Sequence, residues 1–102
     1  MNVPIACSLT DTAARAQLGE WRDLLAESAV ETRRTSPTEL AFRLRGDLTH
    51  LVALVRLSQR EKTCCPFFDF SISIESDRAT LKVSVPDEAI SVLDEFAHLD
   101  GI

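Results

Sequence analysis

The residues best suited to chemistry in this sequence are three cysteines, two of which are adjacent. Cys64 and Cys65 precede Pro66, and Cys7 lies near the start of the chain. Thiolate sulfur binds soft ions such as Cu(I), Zn²⁺, Hg²⁺ and arsenite, and it also exchanges with disulfides. Adjacent cysteines do not have the C-x-x-C spacing of zinc knuckles or thioredoxins. The sequence therefore indicates thiol chemistry of neither of these two common kinds.

Glu61 is the nearest acidic residue that can complete a site built from the cysteines. It lies three and four positions before the pair, so on a helix it shares their face. Three sulfurs suit a three-coordinate ion, whereas tetrahedral zinc needs a fourth ligand. Glu61 can supply that ligand, while His50 lies nearly four helical turns earlier and is a poor candidate. The candidate metal ligands are therefore Cys7, Glu61, Cys64 and Cys65.

Each of these residues also has a purely structural interpretation. Buried cysteine often behaves as a small hydrophobic residue, which fits Cys7 on an inward strand face. Glu61 can equally be a solvated helix residue. The aromatic residues after the cysteines are more typical of a core than of a ligand cage; they are Phe67, Phe68 and Phe70. On this interpretation the chain is an interaction module that forms a homodimer through a sheet edge or face.

The elements that must position the thiols follow from hydrophobic periodicity. We predict a strand over 3–7, a helix over 11–28, a hairpin over 30–45, a helix from 47 to just before Pro66, strands over 68–75 and 79–85, and a helix ended by Gly101. This order predicts an α+β two-layer sandwich with a ferredoxin-like split βαβ core and an extra C-terminal strand and helix. The chain of 102 residues is expected to form a single domain, 1–102.

Two apolar lines run along the second predicted helix. We expect the main buried face to consist of Leu48, Leu51, Val52 and Val55. The second line passes through Leu54, Leu57, Glu61 and the cysteine pair. On the first helix, Trp21 is expected to lie in the core.

The ferredoxin-like arrangement would bring the three sulfurs together. In it, the first strand lies antiparallel to the strand that follows the second helix. Cys7, at the end of the first strand, would then lie beside Cys64 and Cys65, which immediately precede the later strand. The sequence therefore predicts a cluster of three thiols at one edge of the sheet.

Charge and composition exclude several other functions. The formal net charge is −5 and the basic residues are scattered, so the cationic footprint needed for nucleic-acid binding is missing. No segment has the roughly 18 consecutive apolar residues of a membrane-spanning helix. The N-terminal residues lack the pattern of a signal peptide, and three cysteines fit a secreted disulfide scaffold poorly. We therefore expect a cytoplasmic protein with reduced thiols. No catalytic triad, carboxylate pair or phosphate loop is visible, so nothing indicates an enzyme.

Three stretches of the chain resemble a group of small bacterial proteins. They are Ala6-Cys7-Ser8-Leu9, Glu20-Trp21-Arg22-Asp23-Leu24-Leu25 and Glu61-x-x-Cys64-Cys65-Pro66-Phe67-Phe68-x-Phe70. Similar stretches occur as extensions of, or neighbours to, MerR-type metal-responsive regulators. The resemblance implies a link to heavy-metal response, such as that to mercury, and a MerR-type regulator as partner. The DNA-binding helices of such regulators are missing here, which implies ion binding or buffering.

Two hypotheses based on the thiols follow. In the first, a cytosolic protein binds a soft ion such as mercury, arsenite or zinc through Cys7, Cys64 and Cys65, with Glu61 completing or tuning the site. In the second, the protein is a thiol-redox protein in which Cys7 resolves a sulfenic acid or disulfide formed on the cysteine pair. The dimeric module with structural cysteines is the third.

Overall fold

The structure is a computed structural model that describes residues 11–97, with the backbone alone for residues 11–15. Its elements are helix α1 (Asp11–Ser28), strands β1 (Ala29–Ser36) and β2 (Glu39–Arg45), helix α2 (Leu48–Cys64), strands β3 (Asp69–Ile74) and β4 (Arg78–Ser84), a 3-10 turn (Asp87–Ala89) and helix α3 (Ile90–Ala97). This confirms the predicted order from the first helix onward. The predicted strand over 3–7 and the predicted helix end at Gly101 lie outside the described residues.

The four strands form one antiparallel sheet in the order β1-β2-β4-β3. Because β2 and β3 are both antiparallel to β4, they run in the same direction, and α2 connects them. These elements form a βαβ unit that β4 splits, which confirms the α+β class and the split βαβ core. The last predicted strand, β4, therefore lies inside the sheet, between β2 and β3.

One face of the sheet packs against the helices and the other faces solvent. The inward residues of β2 and β4 are buried, namely Leu40, Phe42, Leu44, Ala79, Leu81 and Val83. Residues between them, such as Arg43 and Lys82, are exposed. This alternation with a period of two makes the two-layer arrangement that the sequence predicts. Polar β1 lies at one end of the described sheet, as expected for an edge strand.

Aromatic residues from different elements form the centre of the core. Trp21 is fully buried, as predicted, and its ring stacks on Phe70 with centroids 5.8 Å apart. The edge of the Phe96 ring meets Trp21 at 5.0 Å, and Phe96 also packs near Phe42 and Phe68. Helices α1 and α3 are therefore held to the sheet by rings that come from both layers.

The start of α2 is fixed by its sequence. The side chain of Asp47 accepts a hydrogen bond from the backbone N–H of His50, which satisfies one free donor of the first turn. Gly46 precedes this cap and lies against the turn before β4. A Cβ atom at Gly46 would be 3.0 Å from backbone atoms of Asp77 and Arg78, so a larger residue would push these segments apart.

The predicted main buried face of α2 is wrong. Leu48, Val52 and Val55 are 74%, 45% and 51% exposed. The buried residues belong to the second line and its neighbour, namely Leu54, Leu57, Ser58 and Glu61. Both lines are apolar at helical spacing, so the pattern alone does not choose between them. In the structure, the side that packs inward is the one on which Glu61 accepts hydrogen bonds from Gln17 and Trp21 of α1.

Candidate thiol site

The cysteine pair lies where α2 ends. Cys64 is the last residue of the helix, and Cys65 caps it with φ −130° and ψ 80°. The residue before a proline avoids helical backbone angles, so Pro66 ends the helix as predicted. The N–H of Cys65 donates to the carbonyl of Glu61 at 2.7 Å, and the N–H of Phe68 donates to the carbonyl of Cys65 at 3.1 Å. These bonds fix the backbone of Cys65 on both sides.

The two adjacent cysteines have opposite surroundings. Cys65 is 0% exposed, belongs to the hydrophobic core and is disulfide-bonded. Cys64 is half-buried at the edge of that core, and its thiol is free. The expectation of reduced thiols is therefore wrong for Cys65. A free thiol thus follows directly from an oxidised one in the chain, and only the free one has partial access to solvent.

Cys7 lies outside the described residues. Of the predicted cluster of three thiols, the structure describes only Cys64 and Cys65. The partner strand proposed for Cys7 was β3. Within the described part of the chain, β3 pairs with β4 on one side. Because residues 3–7 lie outside the described residues, their contact with β3 stays a prediction.

Glu61 is buried and its carboxylate has two hydrogen-bond donors from α1. Its Oε1 accepts from Gln17 Nε2 at 2.8 Å and from Trp21 Nε1 at 3.0 Å. A buried carboxylate is costly unless donors replace its water, and these two donors do so. The interpretation of Glu61 as a solvated helix residue is therefore wrong. Its observed contacts orient Trp21 and join α2 to α1 one turn before the cysteines.

Gln17 is the part of this arrangement that sequence reasoning missed. It is only 6% exposed and lies four positions before Trp21, so both side chains emerge from the same side of α1. A glutamate on the apolar line of α2 requires donors from a facing helix. The indole N–H of Trp21 and the amide of Gln17 are the groups that provide them.

The aromatic run after the cysteines is part of the core, as its structural interpretation predicts. Phe68 is buried, and its ring lies 4.7 Å from Phe67 and 5.6 Å from Phe70. Outside this run, Lys62 bridges the turn because its Nζ donates to the Pro66 carbonyl at 2.8 Å and to Asp69 Oδ1 at 3.0 Å. The turn after Cys65 is thus packed against aromatic rings on its core side, and Lys62 bridges it by hydrogen bonds on its solvent side.

Within residues 11–97, no group of three or more His, Cys, Asp or Glu side chains is arranged to hold a metal ion. Over the same residues, no helix combines the length and apolar character needed to cross a membrane. No protein-family model, curated protein or solved structure matches the chain.

Proposed function

We propose that this protein is a small thiol-redox protein in which Cys65 alternates between a disulfide and a thiol. Cys64 is the thiol that exchanges with other molecules. One observation carries the proposal: Cys65 is disulfide-bonded and fully buried, whereas Cys64 is free and half-buried. Cys7 is the only other cysteine of the sequence, and we infer that it is the partner of Cys65.

In the proposed exchange, the disulfide is transferred from Cys65 and Cys7 to Cys65 and the more accessible Cys64. The Cys64 thiolate attacks the sulfur of Cys65, a bond forms between these two sulfurs, and the bond from Cys65 to Cys7 breaks. The electron pair leaves on the Cys7 sulfur, which takes up a proton. A dithiol from outside then reduces the new disulfide at the more accessible Cys64 and becomes a disulfide itself. All three cysteines are then thiols.

The bond between adjacent cysteines is suited to an intermediate. Consecutive Cα atoms are about 3.8 Å apart, below the usual span of about 4.4–6.8 Å in a disulfide. Such a bond is strained and is therefore reduced more readily than an ordinary one. A disulfide between Cys64 and Cys65 would therefore be short-lived, because an external dithiol reduces it readily.

The test compares disulfide reduction in the wild type, Cys64→Ser and Thr63→Ala. We expect peptide mapping of the oxidised wild type to find a Cys7–Cys65 crosslink and an alkylated Cys64. The Cys64→Ser variant should keep the crosslink but lose it at least tenfold more slowly in dithiothreitol. Thr63→Ala, a change at the exposed neighbouring residue, is the matched control and should keep the wild-type rate. Equal rates in Cys64→Ser and wild type, or no crosslink at all, would contradict the proposal.

Binding of a soft ion by the reduced protein is the second candidate. The disulfide at Cys65 favours it, because that bond requires another sulfur at bonding distance from the pair. After reduction, Cys7, Cys64 and Cys65 would offer three thiolates to Hg²⁺, arsenite or Zn²⁺. Glu61 already accepts two hydrogen bonds through Oε1, so direct ligation would use Oε2.

Titration of reduced and oxidised protein separates the two candidates. Ion binding predicts sulfur-to-metal charge-transfer absorption at one ion per chain, only after reduction and weaker at lower pH, since thiolates are the ligands. Unchanged affinity in a Cys64→Ser/Cys65→Ser double variant would exclude it. The redox proposal does not depend on this result.

The proposed cytoplasmic location depends on the disulfide being opened in use, because the few disulfides found in the cytosol are usually transient and catalytic or redox-sensing. A disulfide that Cys64 can open belongs to that kind. A MerR-type regulator is the partner proposed from the resemblance. It would receive an ion or a redox signal from this chain, and copurification with the reduced but not the oxidised protein would support that role.

A further inference from the structure

We propose that a second copy of this chain packs on the exposed apolar face of α2, so that the protein forms a twofold symmetric dimer. This surface is separate from the thiol chemistry. We call it the α2 groove, and it is lined by Leu48, Leu51, Val52, Val55 and Ile74, with Arg56 at its border. The groove has a volume of about 470 Å³.

Apolar exposure is concentrated at this groove. Five large hydrophobic residues are exposed among the described residues, and four of them line it. Leu48 and Ile74 are 74% and 70% exposed, which is unusual for aliphatic side chains that adjoin each other. The largest apolar patch on a protein surface is often functional, and exposed apolar patches with a polar rim mark interaction sites.

The spacing along α2 suits a second helix of the same sequence. Leu48, Val52 and Val55 follow one another at steps of four and three, which is the spacing of a seam between two packed helices. When two copies of α2 pair in opposite directions about a twofold axis, Val52 of one copy faces Val55 of the other. The same patch then serves both partners, as twofold symmetry requires.

The charged residues at the border of the α2 groove are placed so that opposite charges meet in an antiparallel pair. Arg56 lies in the middle of α2 and takes part in none of the ion pairs found in residues 11–97. Exposed Glu75 and Asp77 lie in the turn after Ile74, beside the start of α2. In the antiparallel pair, Arg56 of each copy approaches the acidic turn of the other. Parallel pairing would instead place like charges together.

Other basic residues near this face do not oppose the pairing. Arg60 and Lys62 already pair with Glu20 and Asp69. Arg45 and Arg78 are partners across β2 and β4, and they alternate with the inward residues of those strands. They therefore project from the sheet face opposite α2.

The apolar area sets the expected strength. A stable complex buries about 800 Å² on each partner, which is more than the apolar part of the α2 groove offers. The charged border must contribute the rest. The dimer should therefore be weakened by salt, which screens exposed charge pairs over about 10 Å at 0.1 M.

Sedimentation equilibrium of the reduced protein tests the proposal, because reduction excludes disulfide-linked copies. We expect twice the chain mass for the wild type and at least tenfold weaker association for Val52→Glu. The matched control is Val30→Glu, which adds the same charge at a 52% exposed valine on β1, and it should associate like the wild type. A wild type that is monomeric up to millimolar concentration would overturn the proposal. So would a dimer that Val30→Glu disrupts and Val52→Glu does not, since that dimer would use the sheet edge.

Reversal of charge provides a second test that does not depend on the folding of one variant. Arg56→Glu and Glu75→Arg should each weaken association by at least threefold, because each places like charges together across the interface. The double variant restores opposite charges and should recover most of the wild-type affinity. Additive loss in the double variant would contradict the antiparallel arrangement.

Discussion

On α2, the face that packs into the core carries a carboxylate, whereas the face that meets solvent is lined by aliphatic side chains. The inner face carries a carboxylate, Glu61, and ends at the buried, disulfide-bonded Cys65. The outer face carries Leu48, Val52 and Val55, which are exposed. The inner face combines buried Leu54 and Leu57 with a carboxylate whose hydrogen bonds from α1 replace water, so it packs into the core although it carries a charge. In the two proposals, the inner face positions a thiol and the outer face binds a second copy of the chain.

Truncation of one residue on each face of α2 should give the largest difference in the free energy of unfolding. Leu54→Ala removes a fully buried side chain and should lower the free energy of unfolding by about 2–5 kcal/mol. Val52→Ala, on the outer face, should change it by less than about 0.5 kcal/mol. Chemical denaturation of both variants at a concentration where the protein is monomeric gives the two values. Equal losses would mean that α2 presents a different face to the core.

Removal of the Glu61 carboxylate should have the next largest effect. Glu61→Ala leaves the Trp21 indole N–H and the Gln17 amide buried without their acceptor, which should cost about 2–4 kcal/mol. Glu61→Gln keeps an acceptor oxygen and should cost about 1 kcal/mol. Denaturation curves of the pair separate the hydrogen bonds from the charge. A loss in Glu61→Gln as large as in Glu61→Ala would show that the charge itself stabilises the fold.

The sequence was sufficient for the elements but not for their orientation. Alternation in β2 and β4, the Asp47 cap and the helix end before Pro66 are local signals, and these predictions are confirmed, whereas in β3 the alternation ends at Ile72 and Ile74 is 70% exposed. The predicted buried face of α2 is wrong, because two apolar lines on the helix compete and the contacts that distinguish them, such as the bond from Trp21 to Glu61, join residues 40 positions apart. A disulfide between Cys7 and the cysteine pair is one of the hypotheses from the sequence, but the spacing does not show which of the two cysteines is oxidised, and the expectation of reduced thiols is wrong for Cys65.

Ser58 offers a smaller test on the inner face of α2. It is 6% exposed, and its buried Oγ has no hydrogen-bond partner among residues 11–97, in contrast to the well-bonded Glu61. Ser58→Ala removes an unsatisfied hydroxyl, so it should leave stability unchanged or raise it by about 1 kcal/mol. Thermal unfolding of the variant decides the sign. A clear loss of stability would show that the hydroxyl has a partner in solution.

The smallest expected effect comes from His50 at the start of α2. Hydrogen bonds to Asp47 and to Glu27 raise its pKa above 6.5. A raised pKa in the folded state means that this stabilisation is complete below pH 6.5 and is lost as pH rises through the folded value. Unfolding of wild type and His50→Gln should therefore differ by less than about 1 kcal/mol at pH 5.5 and converge at pH 8.5. A difference that grows with pH would contradict this assignment.

The rate at which the disulfide of Cys65 opens is the most direct test of the thiol-redox proposal. Oxidised wild type, Cys64→Ser and Thr63→Ala are placed in dithiothreitol, and crosslinked peptide is followed by mass spectrometry. Transfer through Cys64 predicts that wild type and Thr63→Ala lose the crosslink together, and that Cys64→Ser is at least tenfold slower, because Cys65 itself is 0% exposed. Equal rates in all three proteins would mean that the buried disulfide opens without Cys64 and that the cysteine pair is structural.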